Sequence, residues 1–287
     1  MARRAPKPSV QFLGIYREKR FSPGVHAAGD AEILELTQAA LQQAGHPVTL
    51  ITPEALPSTP MTAQVVFSMC QSLEALAILQ AWEAQGVLVL NTPAAVRTCY
   101  RLELVPRLSQ SALPFPRSHV VTLTGTGLPA QALIASLPAD RAGWWVKRGD
   151  VHAMQADDVL LAPTAADVIV QLERLRQRGI SHAIVQEHIP GQEIKFYAVH
   201  GQGVLHALAP HAPVLPPHDA EQLNTLACQA GEVCGLDIYG GDCLVTADDQ
   251  LCLIDINDWP SFRGCRPVAA TQIAQLLLNR ARQRHLL

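Results

Sequence analysis

Between Val10 and Leu90 the sequence alternates short apolar runs with helix-length amphipathic stretches, and this alternation leaves the chain few folds to choose from. Val10 to Tyr16 reads as a buried strand. Asp30 is expected to cap a helix with Ile33, Leu34, Leu41 and Ala44 on its apolar side, and Gly45 to end it. Val48 to Ile51 is the second strand. The unit repeats with a strand at Gln64 to Met69, a Ser72-capped helix carrying Leu73, Leu76 and Leu79 up to Gly86, and a strand at Val87 to Leu90. Strands joined through helices pair in parallel. Ligands of such sheets lie beyond the carboxyl ends of the strands, which points to Arg17 to His26, to Cys70-Gln71 and to Asn91. No glycine-rich dinucleotide fingerprint follows the first strand.

The remainder has a different rhythm. Asn91 to Gln110 reads as mostly helical until Leu113-Pro114-Phe115-Pro116 breaks it, the natural place for a boundary. Beyond lie strands at Trp144 to Arg148, Ala183 to His188 and Gln192 to Val199, helices at Ala165 to Arg178 and Asp219 to Cys234, a hairpin and a last helix. Strands that return through hairpins build an α+β domain on antiparallel sheet. Pro210 to Pro217 is expected to be a surface loop.

Composition narrows the function. At 48% hydrophobic and 16% charged over 287 residues, the chain has the material for a sizeable core, which excludes whole-chain disorder. Lys and Arg total 22 against 25 Asp and Glu, a net charge of −3 with no like-charged block, so neither nucleic acid nor a membrane surface is expected as a partner. The seven cysteines form no CxxC pair and several sit in apolar runs, as expected in a reducing cytoplasm. The basic start is not followed by a signal-peptide pattern, and no run approaches the ~20 apolar residues of a membrane span.

The sharpest chemical feature is GGDCLVTADDQLCLIDIND. A two-residue turn at Asp248-Asp249 would pair Ala247 with Gln250 and, counting back, Asp242 with Asp255; Asn257 would share the face of Asp255 because strand side chains alternate. Facing acids repel unless a cation lies between them, and an all-oxygen Asp, Asp, Asn set suits Mg²⁺. The alternative is a solvated hairpin face, which the neighbours Leu251, Leu253, Ile254 and Ile256 disfavour. Two other strands carry basic residues. Lys147 alternates with Trp144 and Val146, and either snorkels to solvent or neutralises an anion. In VQEHIPGQEIKFYAV, Glu193, Lys195 and Tyr197 share one face and Ile194, Phe196 and Ala198 the other; a ribose and phosphate site and a cross-strand salt bridge would give the same pattern.

Taken in order, Lys147, QEHIPGQEIKFY, GLDIYGGDCLV and LIDINDWPSF resemble the ATP-grasp superfamily over residues 93–287, with residues 1–92 resembling the Rossmann-like domain that precedes it. The resemblance implies an α/β parallel-sheet domain followed by an α+β ATP-grasp domain whose two subdomains hold ATP between them. It implies that Lys147 and Lys195 contact phosphates, that Gln186, Glu187, His188 and Ile189 form the hinge that reads adenine mainly through backbone, and that Glu193 holds the ribose. Asp242, Asp255 and Asn257 become the Mg²⁺ ligands. NTPAAVRTCYR is similar to a segment of the ribosomal-protein glutamate ligases and glutathione synthetases that carries a phosphate-binding basic residue, here Arg101. The stretch after the metal strand, with Trp259, Ser261, Phe262, Arg263 and Arg266, would line the acceptor pocket, where Arg263 and Arg266, with Arg17 or Arg20 from the first loop, suit a small anionic acceptor.

The chain departs from the family where a glycine-rich phosphate lid is usual: VKRGDVHAMQADD has only Gly149, and His152 stands as its replacement. His152-Ala153-Met154 and Asp-Ile-Asn resemble the inositol-phosphate kinases of the same superfamily. A carboxylate–amine ligase is therefore the first expectation, and a small-molecule kinase or a non-catalytic nucleotide-binding module the alternatives. Self-association is left open. The histidines His152, His188, His206 and His211 have no zinc spacing, and Cys70 reads as an ordinary thiol.

Overall fold

The computed structural model describes residues 10–22, 26–59, 62–124, 133, 135–137, 142–149, 155–209 and 217–287. Its first layer is the parallel sheet that the alternation requires: β1 (Phe12–Ile15), β2 (Val48–Ile51), β3 (Val65–Ser68) and β4 (Leu88–Leu90) in the order β2-β1-β3-β4. Leu13, Ile15, Val66 and Val89 point to one face, under Ala75, Leu79 and Trp82 of α2 (Leu73–Ala84). Phe12, Val65, Phe67, Leu88 and Leu90 point to the other, under α1 (His26–Gln43) and a helix from the far end of the chain. Ser72 caps α2 by accepting the Ala75 N–H at 3.1 Å. Gly45 and Gly86 follow the ends of α1 and α2 with φ of 88° and 96°, as left-handed helix stops do. Asp30 does not cap α1: the helix begins at His26, and the Asp30 carboxylate accepts from Ser22 at 2.6 Å and pairs with Arg17 at 3.3 Å.

The segment read as one helix is two, α3 (Pro93–Thr98) and α4 (Arg101–Ser109); Cys99 and Tyr100 interrupt them, and Thr92 caps the first through the Ala95 N–H. Next come β5 (Ser118–Thr122), β6 (Trp144–Arg148), β7 (Val159–Ala162), α5 (Ala165–Gln177) and β8 (His182–Glu187), whose strands form an antiparallel sheet in the order β5-β8-β6-β7. Trp144, Val146, Ala183 and Val185 pack under Val168, Leu172 and Leu175 of α5, so Trp145 and Lys147 face away from this core.

The second antiparallel sheet has the order β10-β9-β11-β12, from β9 (Gly191–Val199), β10 (Gly203–Leu208), β11 (Ile238–Thr246) and β12 (Leu251–Asp258). Ile194, Phe196, Ala198, Cys243 and Ile256 pack on α6 (Pro217–Cys234). The final helix α7 (Arg266–Gln283) crosses back onto α1, and its Ile273, Leu277 and Ala281 close the open face of the first sheet. The chain end thereby seals the layer its beginning started. Among the described residues no helix is long and apolar enough to cross a membrane.

Candidate functional site

The hairpin reaches the expected register by an unexpected route. Thr246 donates to the Gln250 carbonyl and Asp249, at φ 57°, donates to that of Thr246, so the loop has three residues and Val245 pairs with Leu251. That pairing alone would set Asp242 against Ile254. A bulge between Asp242 and Cys243 absorbs the extra residue at Ile254 and restores Asp242 opposite Asp255, Gly241 opposite Ile256 and Gly240 opposite Asn257. The two departures from the simple hairpin cancel.

Across the sheet this register builds two rows on one face. The first runs Leu208, Lys195, Asp242, Asp255; the second runs His206, Tyr197, Gly240, Asn257. Lys195 Nζ meets Asp242 Oδ1 at 2.6 Å. Burial pulls the Lys195 ammonium down, but Asp242 outweighs it and leaves the group above its usual range. Burial pushes the Asp242 carboxyl up, Lys195 opposes, and Asp255 adds to the rise. Lys195 thus answers Asp242 directly, and Asp255 stands opposite Asp242 on the next strand. Gly240 leaves room for its neighbours: a Cβ there would lie 3.0 Å from both the Tyr197 ring and Pro260.

Lys147, on the open face of β6, completes the cluster from the other sheet. Burial pushes its ammonium down to about 8; Asp255 and Asp242 oppose the shift and Arg101 reinforces it, which places these four side chains within electrostatic reach of one another. Its hydrogen bond goes to a neutral group, Gln186 Oε1 at 2.6 Å, and Gln186 Nε2 in turn donates to Ser118 at 3.1 Å. Arg101 is buried at the start of α4 and donates to the Arg148 carbonyl at 3.0 Å.

The expected hinge is less uniform than the sequence suggested. Gln186 belongs to β8 with its side chain on Lys147, and the N–H groups of Glu187 and His188 donate to Arg117 and Gly143 at 2.8 and 3.0 Å. His188 accepts from the Trp145 indole at 3.0 Å. Glu193 is exposed beyond the hinge. His152 and the stretch expected to replace the phosphate lid lie outside the described residues.

The stretch after β12 divides sharply. Trp259 and Phe262 are fully buried, at φ 37° and 46°, left-handed conformations that non-glycine residues adopt at some cost. Trp259 stacks on Phe67 with centroids 6.3 Å apart, and Phe262 lies 5.5 Å from Tyr197. They anchor the loop. Arg266 is committed as well, to Glu32 at 2.8 Å and to the Ser261 carbonyl at 2.8 Å, tying α7 to α1. Arg17 holds Asp30 and the Trp259 carbonyl, and Arg20 pairs with Glu74 on the surface. Of the arginines proposed for an acceptor, Arg263 is left exposed beside Tyr197.

Other expected ligand positions are structural. Asn91 donates to the Ile238 carbonyl at 2.7 Å and accepts from the Asp237 and Ile238 N–H groups at 2.8 and 2.9 Å. Burial holds the Cys70 thiol up at about 12, so it is inert. One group was missed altogether: Asp258, buried and raised by that burial to about 6, accepts from Gln71 at 2.8 Å. Among the described residues no three His, Cys, Asp or Glu side chains cluster as a metal site. A cation held here would have Asp242, Asp255 and Asn257 as protein ligands, all oxygen donors. That set fits Mg²⁺, which draws its remaining ligands from water and phosphate.

No known protein family matches the sequence, and no curated protein matches it. Solved structures do. A RimK domain ATP-grasp protein from Sphaerobacter thermophilus superposes with a TM-score of 0.70 at 19% identity, over 93% of this chain and 99% of that one. D-alanine-D-alanine ligase from Coxiella burnetii gives 0.73 at 13% identity, over 96% and 97%. The ATP-grasp ligase PsnB, in complex with minimal precursor, Mg and ADP, gives 0.65 at 15%, over 94% and 98%.

Proposed function

Since the chain has the ATP-grasp fold, we propose that it is a Mg²⁺-ATP-dependent carboxylate–amine ligase that activates a small anionic acceptor as an acyl phosphate. The observation that carries this reading is the row Lys195, Asp242, Asp255 with Lys147 of the other sheet in electrostatic reach: two carboxylates opposite one another on adjacent strands, with Lys195, Lys147 and Arg101 around them. A solvated hairpin face would not half-bury Asp242 or bring Lys147 within electrostatic reach of it.

The residues divide the work of phosphoryl transfer, which is positioning and charge neutralisation. Lys147 and Lys195 take the phosphates, and Arg101 supports them. Gln186 holds the Lys147 ammonium in place, so its role shifts from adenine reading to support of the phosphate site; Ile189 carries the backbone contact to adenine and Glu193 the ribose. Asp242, Asp255 and Asn257 hold Mg²⁺, which when bound supplies the positive charge that screens the phosphate oxygens. Arg263 takes the acceptor in place of Arg266. The acceptor carboxylate attacks the γ-phosphorus and ADP leaves; the amine then attacks the carbonyl carbon and phosphate leaves, with the amine proton released to solvent.

PsnB, D-alanine-D-alanine ligase and the RimK domain protein bear ligase or ATP-grasp names, which agrees with this reading. The test is chemical trapping. Incubation with Mg-ATP, hydroxylamine and a pool of carboxylic acids and amino acids should yield a hydroxamate together with ADP. ADP release with a phosphorylated alcohol and no hydroxamate would replace the ligase by a kinase, and nucleotide binding with no ADP from any acceptor would leave a binding module.

A further inference from the structure

The second row of the site face contains a histidine that simple alternation would place elsewhere. Val204 and Ala207 of β10 pack toward α6, whereas Leu205 and Leu208 pack toward α7. Strict alternation from Val204 would return His206 to the α6 side. A bulge between Val204 and His206 prevents this: it gives Leu205 to the core and sets His206 opposite Tyr197, in the row that continues to Gly240 and Asn257. The imidazole lies nearly parallel to the Tyr197 ring, 6.5 Å between centroids and 16° between planes. On its other side it meets the loop after β12, where a Cβ on Gly264 would stand 2.9 Å from His206 Nε2. Gly264 adopts φ 90°, so no other residue would hold this turn without strain, and none would leave the imidazole its room.

The same patch holds Arg263, exposed and close enough to Tyr197 to act on its hydroxyl, and Lys195 one position along β9 on the same face. Tyr197 itself is buried beneath them. The His206 imidazole therefore lies beside the Tyr197 ring, and the Lys195 and Arg263 charges act on the Tyr197 hydroxyl, at the end of the site away from Asp255. Lys195 is engaged by Asp242, so the donors of the patch left to meet an anion are those of His206 and the exposed Arg263.

We propose that His206, re-aimed by the β10 bulge, is an acceptor-recognition residue that works with Arg263 to hold an anionic group of the acceptor, a carboxylate or a phosphate. This rests on the ligase reading for the direction of the reaction, but anion binding at the patch is separable from turnover. The bulge explains why a histidine in an otherwise apolar edge strand points at the loop that follows the metal strand.

The test uses the full chain saturated with Mg²⁺ and a non-hydrolysable ATP analogue, titrated with inorganic phosphate and, separately, with acetate. The His206 Cε1–H resonance, assigned by its absence in His206→Gln, should move saturably with at least one anion. Affinity for that anion should fall about tenfold or more in both His206→Gln and Arg263→Gln, while affinity for the ATP analogue stays as in the parent. Response to phosphate alone would assign a phosphorylated acceptor, and response to acetate a carboxylate. A resonance that moves with neither anion, or anion affinities unchanged in both variants, would overturn the proposal. Loss of analogue binding by the parent chain would instead sink the nucleotide reading and is read out independently.

Discussion

Asp255 and Asn257 lie beside Asp258 in β12, yet they belong to polar clusters of opposite kind. Asp258 joins a junction tied together by hydrogen bonds within the protein, although Asp258 Oδ2 and Gln71 Oε1 are buried there without a partner among the described residues. Glu18 accepts the Gln71 and Ser72 N–H groups at 3.0 and 2.9 Å at the start of α2, Gln71 binds Asp258, Tyr100 donates to the Gln71 carbonyl, and Asn91 saturates the start of β11. The row of Lys195, Asp242 and Asp255 is built differently. Asp242 and Asp255 face one another, Lys195 pairs with Asp242, and Lys147 hydrogen-bonds an amide within electrostatic reach of both carboxylates. Both clusters are rich in charge; what sets the second apart is that its two acids face one another across adjacent strands with Lys195, Lys147 and Arg101 near them.

The largest expected effect breaks the cleft and spares the junction. Asp255→Asn should lower ATP turnover by about 10³-fold, the scale of losing one charge aimed at a transition-state contact, while the melting temperature holds or rises because the repulsion with Asp242 is relieved. A steady-state ADP assay beside a thermal melt checks both halves.

Asn91→Ala should do the reverse. It removes three hydrogen bonds, two of them buried, and leaves the Asp237 and Ile238 amides unpaired, so stability should drop by about 3 kcal/mol. ATP affinity of the fraction that stays folded should be unchanged, as denaturant titration and calorimetry would show. A turnover loss without a stability loss would put Asn91 in the site after all.

Much of this division was legible in the sequence, for reasons specific to each element. The parallel sheet was, because buried strands and Ser72- or glycine-bounded helices announce themselves locally. The facing of Asp242 and Asp255 was reached from a wrong turn length, and only the compensating bulge at Ile254 made the arithmetic hold. Bulges leave no periodic trace, which is also why His206 was set aside. Arg266 and Asp258 were misjudged or missed because their partners, Glu32 and Gln71, are remote in the chain. β10, at the edge of its sheet, and the short β5 and β7 carried too little pattern to be assigned.

A gentler contrast comes from pH. With Lys147 held down at about 8, its charge is present below that pH and lost above it, so ATP affinity should fall as pH rises through about 8. Binding above that point should take up a proton, measurable as a buffer-dependent calorimetric enthalpy. Lys147→Met should abolish the pH dependence and weaken ATP by about 2 kcal/mol. Adenosine should respond to neither change.

The smallest effect sharpens the junction side. Asp258 is raised to about 6 by burial, so above that pH the fold carries a costly buried charge. Asp258→Asn keeps an acceptor for Gln71 and should stabilise the protein by about 1 kcal/mol at pH 7.5, the gain fading as pH falls through about 6. Equal stabilisation at pH 4.5 would contradict a charge-based cost.

The central claim, that the row of Lys195, Asp242, Asp255 and Asn257 opposite Lys147 is a Mg²⁺-nucleotide site, is tested most directly by calorimetry of a non-hydrolysable ATP analogue with Mg²⁺ and with EDTA, on the parent and on Asp242→Asn. The account predicts binding at least about 100-fold tighter with Mg²⁺ in the parent, the worth of two charge-assisted contacts, and near-equal affinities in the variant. Equal affinity with Mg²⁺ and with EDTA in the parent would contradict it.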